Sequence, residues 1–430
     1  MTQVASLPAV HDDGPWLRSR SWDRIFVTGG AYLVAVPILL FYVFRQAGAA
    51  VSTAEDLVTL FVMVLVGGPH VFATYTRTFL EPRFAKREPR MFFGAFLVLA
   101  IVIGAAVSSA FFDVRIAGFP PIQFVMTFFF FWAGVHIVHQ ASYLCAAYEE
   151  RHAAAPTRAR RVSNALDYLV MLGCLYPVSF FRMSMIADPS RSDIANPDAL
   201  ATQIVVALSG SRSFADEYVF RIGRVAPILP DFVLADAFWI VFSALYLVVL
   251  ALFVRKSVRE HRDGTLNRTR FKLVVATAFV GLLVPVFPNL DTAFQGFNAW
   301  HSFQSLGIVW LWNRGAFDRG ELKGAFPRAI SGPDRSGSFY LAAIAATVGL
   351  LLVILCTGWL IEVGSAGRFR MFGLDSIPLD PVTGRPEYRP GSVLLAYYMV
   401  AFSLLLVHYL HDGHFFFRTR DLQGETRAST

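Results

Sequence analysis

The feature that most constrains this chain is its succession of long apolar runs. Ten segments, near 25–45, 56–80, 92–112, 122–148, 164–185, 232–254, 271–288, 293–314, 338–362 and 393–416, approach the ~20 apolar residues a helix needs to cross a bilayer. They predict an all-α, polytopic membrane bundle of about ten transmembrane helices. The seventh and eighth segments are the least clearly divided, because PVFPNLDTAF interrupts the helix at Pro285 and Pro288. Asp291, just beyond, reads as the N-cap of the eighth helix.

Composition agrees, since 55% of the residues are hydrophobic and only 16% are charged, which excludes an ordinary soluble domain. The formal charge of +7 raises the question of nucleic acid. The basic residues, however, lie in short loops between the apolar runs, in KREPR, RARR, RKSVREHR and NRTR. That distribution is a topology signal and not a nucleic-acid footprint. The N-terminus, the loops at 81–91, 149–163, 255–270 and 315–337, and the tail fall on this basic side, which predicts cytoplasmic termini in an inner or plasma membrane.

The expected organisation is a cytoplasmic segment over 1–24, one transmembrane domain over 25–416 and a cytoplasmic tail over 417–430. No cleavable signal peptide is evident, and the first apolar run reads as a signal anchor. Outer-side loops are expected near 186–231 and 363–392, the first holding ATQIVVALSG, a re-entrant or interface-lying stretch. Asp167 and Asp236 stand near helix ends and read as interface residues. Cys145, Cys174 and Cys356 sit in apolar segments without CxxC spacing, so they imply neither a disulfide framework nor a thiolate metal site.

Seven of the ten histidines lie inside apolar segments. They are His70 in GGPHVFATYTR, His136 and His139 in GVHIVHQ, His301 in NAWHSFQ, and His408, His411 and His414 in LVHYLHDGHFFF. Ionisable groups at membrane depth are costly, so they tend to face the bundle interior and mark functional sites. Residues three apart share a helix face, which lets His136 and His139 present their rings together. His408, His411 and His414 sweep an arc of ~120° at ~100° per residue.

On the ten-helix topology the histidines fall on the second, fourth, eighth and tenth helices, all running from outside to inside. His70, His136, His139, His408 and His411 come at similar depth, which makes a common metal site geometrically possible. His414 lies nearer the cytoplasmic face. His301 lies farther out and reads most simply as an interhelical hydrogen-bonding residue, with a supporting place at the site as the other reading. Imidazole suits iron, copper and zinc, and Asp412 can serve as a ligand or orient a ring. Tyr75, Gln140, Tyr409 and Gln304 are further supporting candidates.

HIVHQ and HYLHDGH resemble, in short motifs only, the histidine boxes of the integral-membrane non-haem di-iron desaturase, hydroxylase and alkane monooxygenase group. The resemblance implies iron bound by His136, His139, His408 and His411, together with His70 and His414. It also implies O2 as oxidant, an electron donor as partner, and a lipid or other apolar substrate entering from the bilayer.

Three functions follow from the histidines. The first is an O2-dependent oxidoreductase with one or two non-haem irons, placed first because the histidines come in close sets on two helices. The second is a haem-binding redox protein with bis-histidine ligation. The third is a proton-coupled transporter using the histidines as a relay. No Walker, Rossmann or catalytic-serine motif supplies another chemistry.

Overall fold

The computed structural model describes residues 16–150, 158–187, 228, 230–287, 289–371 and 391–417. Most of the segment over 1–24, most of both outer-side loops, the ATQIVVALSG stretch, Pro288 and the tail after 417 lie outside the described residues.

Among the described residues the fold is helical, with no strand beyond an isolated bridge between Ile116 and Phe119. Nine helices among the described residues are long and apolar enough to cross a membrane. They are α1 (Arg20–Gln46), α2 (Thr53–Tyr75), α3 (Pro89–Phe111), α4 (Pro121–Glu149), α5 (Ser163–Phe181), α6 (Asp236–Arg262), α7 (Arg268–Val286), α9 (Ser336–Gly364) and α10 (Ser392–Phe416). The eighth expected segment is also one continuous helix, α8 (Leu290–Asp318), but it is not among those nine. Gln295, Asn298, His301, Ser302, Gln304, Ser305 and Asn313 dilute its apolar character. Its N-cap is not Asp291: Asn289 Oδ1 accepts the Thr292 amide at 2.9 Å, and Asp291 sits in the first turn, where a carboxylate complements the helix dipole.

The helices turn their large apolar side chains outward. On α3, Phe93, Leu97 and Ile101 are exposed while Ala95, Val102, Ala106 and Ser109 are buried. Small residues inside and large ones outside suit a helix packed against neighbours in lipid, and would be an aggregation hazard in water. Gly68 shows the close approach this permits, since a Cβ there would stand 2.2 Å from Cγ2 of Thr347 on α9.

The described residues pack as two compact units. One is drawn from Met63–Phe130 and Val309–Phe415, the other from Ser6–Val62, Phe131–Ile308 and Phe416–Thr430. In the first, α2, α9 and α10 pack around the GGPH sequence. In the second, α7 is enclosed along much of its length, with Leu273, Val274, Thr277 and Gly281 buried. There Asp167 is not an interface residue but a buried one, paired with Arg270 and Lys256, while Arg270 also holds Glu149 Oε2 at 2.6 Å. Opposite charges neutralise one another where water cannot reach them, which is the condition under which charges are retained at such depth. Cys145 and Cys174 are buried, Cys356 is exposed, and all three are free thiols.

Three π-helical turns interrupt the described helices, at Asp23–Thr28, Met63–Gly67 and Tyr398–Phe402. Such turns are rare and weaken the regular ladder of backbone bonds. In each, a side chain donates to a carbonyl. Gln304 Nε2 reaches Val27 at 2.9 Å, Tyr340 Oη reaches Leu65 at 2.6 Å, and Ser403 Oγ reaches Met399 at 2.7 Å. The Leu65 case has a clear sequence cause, because Pro69, four residues on, has no N–H to give that carbonyl. Tyr340→Phe removes only the hydroxyl and is expected to destabilise the protein by ~1–3 kcal/mol. A fall in melting temperature in detergent would register this; an unchanged value would mean that the Leu65 carbonyl does not need Tyr340.

Candidate metal centre

The second and third π turns immediately precede histidine-bearing stretches, GGPH on α2 and LVHYLHDGH on α10. In the first unit, His70 and His408 are buried and meet edge to face, with ring centroids 4.2 Å apart. His408 Nδ1 lies 3.0 Å from Thr74 Oγ1, which in turn donates to Asp412 Oδ1 at 2.8 Å. Asp412 Oδ2 is 3.4 Å from His408 Nε2, one helical turn along α10. Tyr75 Oη donates to the Leu404 carbonyl at 2.6 Å, tying α2 to α10 beside these groups. Asn313 Nδ2 donates to Thr76 Oγ1 at 2.7 Å and fixes the next turn of the chain.

In the second unit, His136 Nε2 and His301 Nε2 are 3.1 Å apart, with ring centroids 4.7 Å apart. Gln140, one turn after His136, donates to the His301 carbonyl at 3.0 Å and to Gln304 Oε1 at 3.1 Å. Gln304 continues to the Val27 carbonyl, so both rings rest on a hydrogen-bonded frame of side-chain amides.

Four buried histidines, His70, His136, His301 and His408, could hold a metal ion. Each offers one ring nitrogen, and these atoms lie within 4.8 Å of one another. At metal–nitrogen distances of ~2.0–2.1 Å, two ligands of one ion sit ~2.9 Å apart at right angles and ~3.4 Å apart at the tetrahedral angle. The 3.1 Å between the His136 and His301 nitrogens falls in that interval.

The other histidines sit differently. His139 is bonded to Tyr168 Oη at 2.8 Å and stacks on its ring. His411 is buried among Phe79, Phe84 and Tyr75. His414 Nε2 is 3.4 Å from Glu88 Oε2. Helix phase explains the division. Three residues on from His136 or His408 the ring has turned by ~60°, enough at this radius to meet a different neighbour.

Sequence reasoning gave His301 its lesser place and missed Thr74. The signal for Thr74 was available, because it follows His70 at i+4, as Asp412 follows His408 and Gln140 follows His136. For His301 the signal was the polar face of α8, on which His301, Gln304 and Ser305 are all buried.

Comparison with protein-family models, curated proteins and solved structures gives no match to this chain.

The geometry separates the two neighbouring histidines of α4. His136→Ala is expected to abolish metal retention by the purified protein, and His139→Ala to leave it within twofold, as read by metal analysis after dialysis. Loss in both would add His139 to the site, and loss in neither would remove His136 from it.

Proposed function

We propose that this chain is a ten-helix membrane metalloprotein with cytoplasmic termini, and that it acts as an O2-dependent oxidoreductase on a lipid or other apolar substrate. The observation that carries the reading is the set of four buried histidines on four long helices. An all-nitrogen donor set suits iron, copper or zinc; a redox role excludes zinc, and the resemblance of the histidine motifs to non-haem iron boxes favours iron over copper. Bound iron would supply the electron-transfer and O2 chemistry that side chains lack.

The protein's own contribution is to bind and to keep water out. His70, His136, His301 and His408 provide the nitrogens, and Thr74, Gln140 and Asp412 hold the rings. In the first unit Phe129, Phe402 and Tyr409 form an aromatic wall alongside His408. The outward apolar faces of the helices give a substrate dissolved in the bilayer a surface to reach. A non-haem centre is favoured over haem because the rings of each histidine pair touch, leaving no slot for a macrocycle inside either pair.

A proton-coupled transporter is the second reading, and the hydrogen-bonded run from His408 through Thr74 to Asp412 favours it. The deciding measurement is metal content with an ultraviolet-visible spectrum on detergent-purified wild type, His70→Ala and His301→Ala. Stoichiometric iron without a Soret band, lost in both variants, is the expected result, followed by O2 uptake that depends on an added electron donor and apolar substrate. A Soret band would replace this reading with the haem one. Metal-free wild type, with both variants impaired only in proton-driven uptake by sealed vesicles, would replace it with the transporter.

A further inference from the structure

Part of the polar character of α8 falls on one line. Asp291, Gln295, Asn298, Ser302 and Ser305 follow one another at intervals of three and four residues. At ~100° per residue these side chains lie within an arc of ~80°, a narrow stripe along the helix. The stripe grows more enclosed along the chain: Asp291, Gln295 and Asn298 are half-buried, and Ser302 and Ser305 are buried. It ends at Val309, the next position in phase, which is apolar and buried.

Polar side chains inside a membrane bundle ordinarily bind across to another helix, and such bonds hold helices together. The side chains of this stripe are bonded along α8 instead. Ser302 Oγ donates to Asn298 Oδ1 at 3.3 Å, and Asn298 Nδ2 donates to Gln295 Oε1 at 3.4 Å. Both bonds are long, so each group keeps the capacity to bind a further partner. Thr292 Oγ1, near the start of the stripe, and Ser305 Oγ, at its end, are buried without a hydrogen-bond partner among the described residues. The same holds for Oε1 of Gln140, whose amide nitrogen donates to the His301 carbonyl. Buried polar groups in native proteins are satisfied by protein or by ordered water. Water, which both donates and accepts, is the ligand that fits hydroxyl and amide groups strung out in this way.

The two ends of the stripe differ in chemistry. At the half-buried end, Asn289 binds Glu55 of α2, and Asp291 adds a second carboxylate. At the buried end, Ser305 follows His301 by one turn and stands ~40° around the helix from it. His301 Nε2 is 3.1 Å from His136 Nε2. Groups that bind water thus run from two carboxylates to two histidines, all within the second unit.

We propose that this stripe of α8 is a water path that carries protons between the N-terminal end of the helix and the His136–His301 pair. A proton moves along hydrogen-bonded water and hydroxyl groups as one O–H bond forms and the next one breaks, so each group passes on a proton as it receives one. Ser302 and Ser305 can take part because a hydroxyl both donates and accepts, while the amides of Gln295 and Asn298 hold water in line. The path goes beyond both readings above and depends on neither. An O2-consuming centre takes up protons with the electrons its donor supplies, and a proton-coupled carrier must bring protons to its relay.

Radiolytic footprinting of the full-length protein in detergent tests the path. A millisecond X-ray pulse splits water into hydroxyl radicals, which oxidise side chains that touch water, and mass spectrometry reads the extent. Leu306, one turn after Ser302, and Leu311, on the opposite side of α8, are both buried leucines and compare like with like. Leu306 is expected to oxidise at least about tenfold faster than Leu311 in wild type, and Asn298→Leu to bring the two within about threefold by denying water its partners in mid-stripe. Asn298→Ser keeps a hydroxyl there and should preserve most of the difference. Whichever turnover the wild type shows, O2 uptake or proton-driven uptake, should fall in Asn298→Leu and not in Asn298→Ser, with metal content unchanged in both. Equal oxidation of Leu306 and Leu311 in wild type, Leu306 oxidation untouched by Asn298→Leu, or wild-type turnover in a variant whose stripe no longer holds water overturns the proposal. None of these outcomes alters metal content, which decides the metal reading by itself. Should Asn298→Leu fail to fold, the wild-type contrast between Leu306 and Leu311 decides.

Discussion

The structure depends on one constraint, that a polar group at membrane depth must find its partner inside the protein. Three π turns loosen the backbone ladder of α1, α2 and α10, and at each a side chain donates to a carbonyl, from Gln304, Tyr340 and Ser403 respectively. Two of these donors stand on other helices. They therefore do more than satisfy a carbonyl, since they fix how α8 meets α1 and how α9 meets α2. Glycine makes that approach possible, with Gly68 against Thr347 on α9 and Gly296 against the Val34 backbone of α1.

The histidines obey the same constraint. A buried imidazole has two nitrogens to account for, and the fold answers with short polar side chains placed one helical turn from each ring. Thr74, Gln140 and Asp412 hold the i+4 positions after His70, His136 and His408. In the first two cases the supporting residue serves a histidine of another helix, so the repeated spacing interlocks helices as well as orienting rings. His139 follows the same logic with Tyr168 as its partner.

The sequence made the helical class legible because ~20-residue apolar runs have few other solutions. Among the described residues each of the ten expected segments falls largely on helix, and the segment over 293–314 shows where hydropathy loses its grip. Its polar residues face inward, so the feature that lowers its apolar character is the feature that gives it a place beside the histidines. What the sequence could not show was adjacency. Helical spacing placed His136 with His139 and His408 with His411, whereas the structure pairs His136 with His301 and His70 with His408, contacts made across sequence separations that periodicity does not see. Asp167 was misread for the same reason, since its partners Arg270 and Lys256 stand on two other helices.

Charge gives the last step. An ion held by imidazoles alone would bring its whole charge into a medium that screens it poorly, because neutral ligands donate electron density without neutralising the field. A carboxylate close to the ligand nitrogens offsets part of that charge, and Asp412 Oδ2, 3.4 Å from His408 Nε2, is so placed. The same carboxylate would be costly to bury without a cation or proton nearby. Asp412 and the histidine set thus explain each other: the acid makes a cation tolerable at this depth, and a cation makes the acid tolerable.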